Sequence, residues 1–234
     1  MQFSIPAVVL FAVAAATAAI AGPVSDFETA FRQMYGDYRA ALFLTNTGQQ
    51  AESAGAMASL DTKFADLRAR YGSTPPPQYA DDAQWDATLS EVQAIVAKAT
   101  EEVDAGALPE AHETLEEVRG LFGALHQRNG VQTFSDRMNA YHAQMEKVLG
   151  TDMATTDIGQ LREEAAVLDY LAREIIANPP SDATGNAAFA ALSADLEASV
   201  AAFLTATRSG DMAEVRAAAA TLKKPYSKLF LKFG

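Results

Sequence analysis

The stretch GALPEAHETLEEVRGLFGALHQRNG, residues 106–130, decides the fold class. Its apolar residues follow one another at alternating spacings of four and three positions, the period of a helix that buries one face. These residues are Ala111, Leu115, Val118, Phe122 and Leu125. Pro109 suits the first turn of such a helix, and Asn129-Gly130 suits its end. The stretch therefore predicts an amphipathic helix.

The same spacing predicts three further helices before this stretch. The first begins at SDFE, where Ser25 and Glu28 are expected to form a capping box. The second covers about 50–71, and the third runs from Trp85 to Gly106. The segment GSTPPPQYADD separates the last two, because consecutive prolines cannot continue a helix. We expect the four helices to close one up-and-down bundle.

The second half of the chain repeats this pattern. The apolar seam of the first helix recurs 107 residues later, and that of the fourth helix recurs 104 residues later. The first seam is Phe27, Phe31, Met34, Tyr38 and Ala41, and the later seams are Phe134, Met138, Tyr141, Met145 and Val148, then Val215, Ala219, Leu222, Tyr226 and Leu229. Pro225 is expected to kink the eighth helix. We predict an all-α protein of two tandem up-and-down four-helix bundles, 22–130 and 131–234, related by internal duplication.

The N-terminal segment MQFSIPAVVLFAVAAATAAIAG is typical of an export signal. It is apolar and then rich in small residues, and Ala19-Ile20-Ala21 suits cleavage by signal peptidase. The run is short and Ala-rich for a membrane span. We therefore predict a signal peptide over residues 1–21 and a mature periplasmic protein without a membrane anchor.

Charge and cysteine content exclude several classes of function. The chain has 18 Lys and Arg against 30 Asp and Glu, a net charge of −12, which disfavours nucleic acid and anionic membranes as partners. The chain has no cysteine, so it forms no disulfide, thiolate metal site or covalent c-type haem. With three histidines and no Ser-His-Asp set or phosphate loop, the sequence predicts a protein that is not an enzyme.

The stretch 106–130 resembles the last helix of the soluble periplasmic cytochrome b562 family, in which a Gly-started helix with an Ala-rich seam ends near a His-Gln pair. The TPPP break resembles that family's long loop, and SDFETAF resembles its opening segment. The resemblance implies a non-covalent haem b with His126 as one axial ligand. Phe31 stands where the family has its axial methionine. Cytochrome c′ bundles share the fold, but Phe122 and Leu125 stand where their haem-binding cysteines would be.

The repeat and the resemblance leave the second axial ligand open. In the second half, Met138 corresponds to Phe31, and Phe230 corresponds to His126, so each bundle keeps one donor of the pair. One alternative is Met34, which would move the haem by about 4.5 Å along the helix axis. The other is Met138, which would make a haem site bridging the two bundles.

Two other groups of side chains are candidates for metal binding. Met138, His142 and Met145 are spaced i, i+4 and i+7, and thioether and imidazole donors on one helical face suit Cu(I). The same methionines equally suit core packing. His112 and Glu116, at i and i+4, either present donors to a divalent cation or belong to a solvated acidic face.

The sequence leaves two main functions open. The first is a cytochrome-like binding protein for haem or a metal. The second is a haem-free module that binds a protein partner through helix faces or through the aromatic tail KPYSKLFLKFG. In that tail, Phe230, Leu231 and Phe233 need cover from a partner surface or from the first bundle.

Overall fold

The computed structural model describes residues 22–234, and all regular structure within them is helical. The predicted all-α class is confirmed. The predicted signal peptide, residues 1–21, lies outside the described residues. The α-helices are α1 (Pro23–Asn46), α2 (Gln50–Tyr71), α3 (Trp85–Asp104), α4 (Leu108–Arg128), α5 (Phe134–Leu149), α6 (Ile158–Ala177), α7 (Ala187–Ser209), α8 (Met212–Ala219) and α9 (Lys223–Phe233).

The nine α-helices within residues 22–234 form two up-and-down bundles. In the first bundle each helix packs on its neighbours in sequence, and α1 closes the ring against α4. In the second, α5, α6 and α7 follow one another, and α8 with α9 supplies the fourth member against α7. The C-terminal helix α9 also packs on α1 and α5, so it joins the two bundles. The limits 22–130 and 131–234 of two separate domains stay a prediction.

The predicted seams form the core of each bundle. Every seam residue of α1 and α4, and every one of α5, α8 and α9, is buried. Burying a large apolar side chain contributes about 1.5–3 kcal/mol, so these seams, more than intrinsic helix propensity, hold the helices together.

The breaks between helices have the same order in both halves. The proline segments each contain a short 3₁₀ helix, Pro77–Tyr79 in the first half and Ser181–Ala183 in the second. Gly106 and Gly210 both have a positive φ, 77° and 80°, after the third helix of their half. Only glycine adopts this left-handed conformation without strain. These parallels support an internal duplication, which stays a prediction.

The predicted capping box at Ser25 and Glu28 is wrong. The helix α1 begins two residues earlier, at Pro23, with Gly22 as its N-cap and no side-chain cap. Proline suits this position because its fixed φ is helical and its missing N–H is not needed in the first turn. A capping box is instead present at the start of α5, between Thr133 and Asp136.

The predicted kink at Pro225 is a complete break. The segment divides into α8 and α9 between Ala219 and Lys223, which places Pro225 in the first turn of α9. A proline in that turn removes no hydrogen bond that the helix would otherwise make.

The aromatic tail is covered by the protein itself. Phe230 and Phe233 are buried, Leu231 is half-buried, and α9 packs on α1 of the first bundle. Among the residues described, α7 is long and apolar enough to cross a membrane, a property that core helices of bundles share. It packs on α6, α8 and α9.

Candidate functional site

A cleft of about 250 Å³ lies where the two bundles meet. We call it the junction cleft. Its walls come from α1, α4, α5 and α9, so both bundles contribute to it. The lining residues are Leu42, Phe43, Asn46, His112, Glu116, Arg119, His142, Met145, Glu146, Lys223, Tyr226, Ser227 and Phe230.

Arg119 is the central charged group of the junction cleft. Its Nη1 lies 2.7 Å from Glu116 Oε2 on the same helix and 2.7 Å from His142 Nδ1 on α5. Its guanidinium also lies 5.3 Å from the centre of the Phe230 ring on α9, within the range of a cation–π contact. One side chain of the first bundle thus contacts two helices of the second.

His142 is held in its neutral form. An arginine can only donate hydrogen bonds, so His142 Nδ1 accepts and the imidazole proton is on Nε2. Burial, and then the positive charge of Arg119, lower the pKa of His142 from 6.5 to about 4. Glu146, 3.6 Å from Nε2, acts in the opposite direction but more weakly. The imidazole is therefore uncharged at neutral pH and donates into the cleft.

We expect the stability of the protein to fall as the pH decreases from about 6.5 towards 4, partly through His142. In this window the unfolded chain binds a proton at His142 that the folded chain does not, so acid favours unfolding. Between pH 7 and pH 5 the wild type should lose about 1–2 kcal/mol more than His142→Asn, whose Oδ1, bonded to Cγ as Nδ1 is, can accept from Arg119. Urea unfolding at both pH values measures this difference. Equal losses in the two proteins would contradict it.

His112 and Glu116 form the opposite wall of the cleft. His112 Nδ1 lies 3.0 Å from the carbonyl oxygen of Leu42, which can only accept, so Nδ1 carries the proton. Its Nε2 lies 3.7 Å from Glu116 Oε1. Glu113 and Glu117 are exposed on the outer face, whereas His112 and Glu116 are half-buried. On α4, Glu113 and Glu117 thus form the solvated acidic face, and His112 and Glu116 are the pair that could present donors to a cation.

Three polar atoms in the cleft have no hydrogen-bond partner in the described part of the chain. They are Arg119 Nε, the Tyr226 hydroxyl and Glu146 Oε1, although Lys223 Nζ lies 3.2 Å from the last as an ion pair. A buried polar atom without a partner costs about 1–3 kcal/mol. All three atoms belong to residues that line the junction cleft.

The residues predicted to bind Cu(I) are only partly brought together. Met145 and His142 line the junction cleft, whereas Met138 does not, and both methionines are fully buried. His142 Nδ1 already accepts from Arg119. Within residues 22–234, no group of three or more His, Asp or Glu side chains is arranged to hold a metal ion. Copper binding stays a prediction. In the structure, Met138 and Met145 pack in the core of the second bundle.

His126, near the end of α4, links the first bundle to the start of α5 in the second bundle. It is 2% exposed, and its Nδ1 lies 2.9 Å from both carboxylate oxygens of Asp136. Asp136 Oδ2 also accepts from the backbone N–H of Thr133, at 2.7 Å, and from its hydroxyl, at 2.8 Å. The last turn of α4 is therefore hydrogen-bonded to the capping box that begins α5.

The surroundings of His126 do not fit a haem held as in cytochrome b562. Its ring lies 5.7 Å from the Phe31 ring and 6.3 Å from the Tyr79 ring, measured between centres, so aromatic side chains fill the adjacent space. Met34 is one turn further along α1. Met138 is two residues from Asp136, about 200° around α5, and so points away from His126. Haem binding at His126, with Met34 or Met138 as the second ligand, stays a prediction.

Replacing His126 with alanine should lower the free energy of unfolding by about 2 kcal/mol, because a buried hydrogen bond to a charged group is lost. Urea unfolding measures the loss. Gln127→Ala, one position along and exposed, is the control, and it should change stability by less than about 0.5 kcal/mol. If both variants are equally stable, the link between His126 and Asp136 is not important for the fold.

No protein-family model, curated protein or solved structure matches the chain. The class of the protein therefore follows from the structure alone: an all-α protein of two helical bundles with a polar cleft at their junction. Its relation to the cytochromes stays a resemblance. Sequence reasoning missed the junction cleft, although the i, i+4 pairs His112–Glu116 and His142–Glu146 were a signal that could have indicated it.

Proposed function

We propose that the protein is a non-catalytic binding protein that holds a small amphipathic zwitterion in the junction cleft. The observation that carries this proposal is a set of three buried polar atoms on residues that line one cavity between the bundles. Within the described residues, Arg119 Nε and the Tyr226 hydroxyl have no hydrogen-bond partner, and Glu146 Oε1 has an ion pair with Lys223 but no hydrogen bond. Two of them, Arg119 Nε and the Tyr226 hydroxyl, can donate. The third, Glu146 Oε1, can only accept. A ligand that pairs with all three carries both an oxyanion and a cationic amine.

The remaining walls define the rest of the ligand. Leu42, Met145 and Phe230 are buried apolar residues that line the cleft. They suit a short apolar group, as in small-molecule sites where a few polar groups fix the orientation. A volume of about 250 Å³ limits the ligand to the size of an amino acid or a similar molecule.

The charges of the cleft favour an organic zwitterion over a metal ion. Arg119 and Lys223 are both cationic and contact Glu116 and Glu146, the two carboxylates that a metal would need. A divalent cation would have to displace or approach both positive groups. A zwitterion can pair with them without changing the net charge of the cleft.

Leucine and two molecules of the same carbon skeleton test the proposal. 4-Methylpentanoate has the carboxylate without the amine, and 3-methylbutylamine has the amine without the carboxylate. We expect leucine to perturb amide resonances of α4, α5 and α9 in ¹⁵N–¹H spectra at lower concentrations than either analogue. Tyr226→Phe and Arg119→Met should each weaken leucine binding about tenfold, the effect of losing about 1.4 kcal/mol.

Matched controls separate the cleft from the surface. Tyr170→Phe and Arg173→Met change an exposed tyrosine and an exposed arginine of α6, and they should leave leucine binding unchanged. The proposal fails if leucine perturbs no residue of the cleft. It fails equally if Tyr226→Phe and Arg119→Met bind leucine as the wild type does.

Export to the periplasm is part of the proposed function and rests on the sequence. Fractionation of the native cells, followed by N-terminal sequencing, tests it. We expect a periplasmic protein that begins at Gly22. A protein that retains residues 1–21 would overturn the proposed cleavage.

The haem and copper predictions have their own tests. A haem titration that gives a Soret shift in the wild type and none in His126→Ala would support haem binding at His126. Cu(I) binding that is lost in His142→Ala would support the Met138, His142 and Met145 site. The junction cleft supports the zwitterion more strongly than the surroundings of His126 support haem or those of His142 support Cu(I).

The second candidate function, binding of a protein partner, is favoured by one surface. Val167 and Tyr170 are exposed and one turn apart on α6, whereas the aromatic tail is buried. A partner that co-purifies with the wild type, but not with a Val167→Ser, Tyr170→Ser double variant, would support this function. Retention of the partner by the double variant would count against this surface.

A further inference from the structure

A second cavity, of about 430 Å³, lies on the side of α1 that faces the 3₁₀ helix of the second bundle. We call it the Arg39 pocket. It is separate from the junction cleft, with which it shares no lining residue. Its lining residues are Ser25, Glu28, Thr29, Arg32, Gln33, Gly36, Arg39, Ser181 and Asp182.

Arg39 is a buried cation that forms no direct ion pair within residues 22–234, although the carboxylate of Asp182 lines the same pocket. It is 6% exposed, and its Nε has no hydrogen-bond partner in the part of the chain that the structure describes. The nearby carboxylates are engaged elsewhere. Asp182 lies 2.7 Å from Arg32, and Asp37 lies 2.6 Å from Lys63. Arginine is rarely buried unless it is paired, so this side chain is unusual.

The guanidinium of Arg39 is directed into the pocket along α1. A methyl group at Gly36 would lie 3.6 Å from Arg39 Nη2, so the side chain extends back over the preceding turn towards Arg32. Burial and the positive charge of Arg32 lower the pKa of Arg39 to about 10. The group thus stays charged at neutral pH. Because Glu28 and Asp182 balance Arg32 and Arg39 at this cavity, an anion would be held by direct contact with Arg39 rather than by the net charge of the pocket.

We infer that the Arg39 pocket binds a single oxyanion group, a carboxylate or a phosphate, through Arg39. The planar guanidinium donates two parallel hydrogen bonds to such a group. Gln33 and Ser181 supply neutral donors at the wall of the same cavity. Arg32 contributes positive charge, but its Nη2 already donates to Asp182 and is not free to donate to the anion. Because Glu28 and Asp182 also line the pocket, it accepts one compact oxyanion rather than a highly charged molecule.

Inorganic phosphate and acetate, each at constant ionic strength with chloride as the reference, test this inference. We expect the wild type to unfold about 2–5 °C higher in roughly 20 mM of the preferred anion, as for a ligand bound at tens of times its Kd. Whichever anion gives the larger rise identifies the source of the oxyanion. Arg39→Met should show no such rise, and Arg173→Met, which changes an exposed arginine of α6, should keep it.

The stability of Arg39→Met without anion gives a second, independent readout. A buried charge without a partner destabilises the folded state, so an apolar side chain of similar length should leave the melting temperature equal or higher. A lower melting temperature in chloride would mean that the guanidinium has an internal partner, and it would overturn the inference. An equal response of wild type and Arg39→Met to both anions would overturn it as well.

Direct observation of the guanidinium avoids reliance on the variant. The Nε–H resonance of Arg39 should shift on titration with the bound anion, while that of the exposed Arg173 should not. An Arg39 resonance that is insensitive to both phosphate and acetate would contradict the inference, whatever the melting temperatures show. Because the leucine experiment reads residues of α4, α5 and α9, it can fail without affecting this result, and the converse also holds.

Discussion

Replacing Phe31 with alanine should lower the free energy of unfolding by about 3–5 kcal/mol, the usual loss for a buried phenylalanine. Phe31 is buried, and its ring centre lies 4.9 Å from that of Phe122 and 5.7 Å from that of His126. The variant removes the side chain that fills the space next to the imidazole. Chemical denaturation followed by circular dichroism measures the loss.

Phe43→Ala is the matched control for this prediction. It removes the same side chain from the same helix, but Phe43 is 36% exposed, so the loss should be below about 1 kcal/mol. If Phe31→Ala costs no more than Phe43→Ala, the space beside His126 is not a packed core. That outcome would indicate that a haem could occupy this space, and it would support the cytochrome interpretation.

Replacing Phe230 with alanine should lower the free energy of unfolding by about 3 kcal/mol, the lower end of the range for phenylalanine, because one side of the ring lines the cleft. The ring packs on Arg119 of the first bundle and on Tyr226 of its own helix. We expect denaturation to remain a single transition, since α9 contacts both bundles. The variant should also weaken leucine binding by enlarging the apolar wall.

Leu231→Ala, at the next position of α9, is the control, because Leu231 is only half-buried. Its loss should be about 1 kcal/mol or less. Two separate transitions in Phe230→Ala, with the first bundle unaffected, would show that the bundles fold independently. The junction cleft would then depend on a weak contact between domains.

The helices were largely predictable because their signal is local. The third and fourth helices end two residues before Gly106 and Gly130, the glycines that the sequence identified. The second helix covers the predicted range 50–71. The errors occurred at Ser25 and at Pro225, where a proline nearby determined the first turn. Helix starts depend on which of several neighbouring residues caps the chain, and this competition is difficult to resolve from spacing alone.

The roles of the three histidines were not predictable in the same way. His126 contacts Asp136 across the connection of the two bundles, and His142 contacts Arg119, 23 residues earlier in the chain. Helical spacing shows which residues share a face, but not which residue of another helix faces them. The resemblance to the cytochromes suggested a ligand at His126, whereas in the structure its neighbours are a carboxylate and aromatic rings.

The sequence by itself determined that this protein is all-α, where its helices lie and which residues form their buried seams, because periodicity and helix-breaking residues are properties of short segments. Only the tertiary structure decided what the polar residues do. It brought Arg119, His142 and Tyr226 from three helices to one cleft, and it left Arg39 buried with no hydrogen-bond partner for its Nε in the described part of the chain. These outcomes depend on how the two bundles pack together through α9. That packing is fixed by contacts between residues far apart in the chain, which no local pattern records.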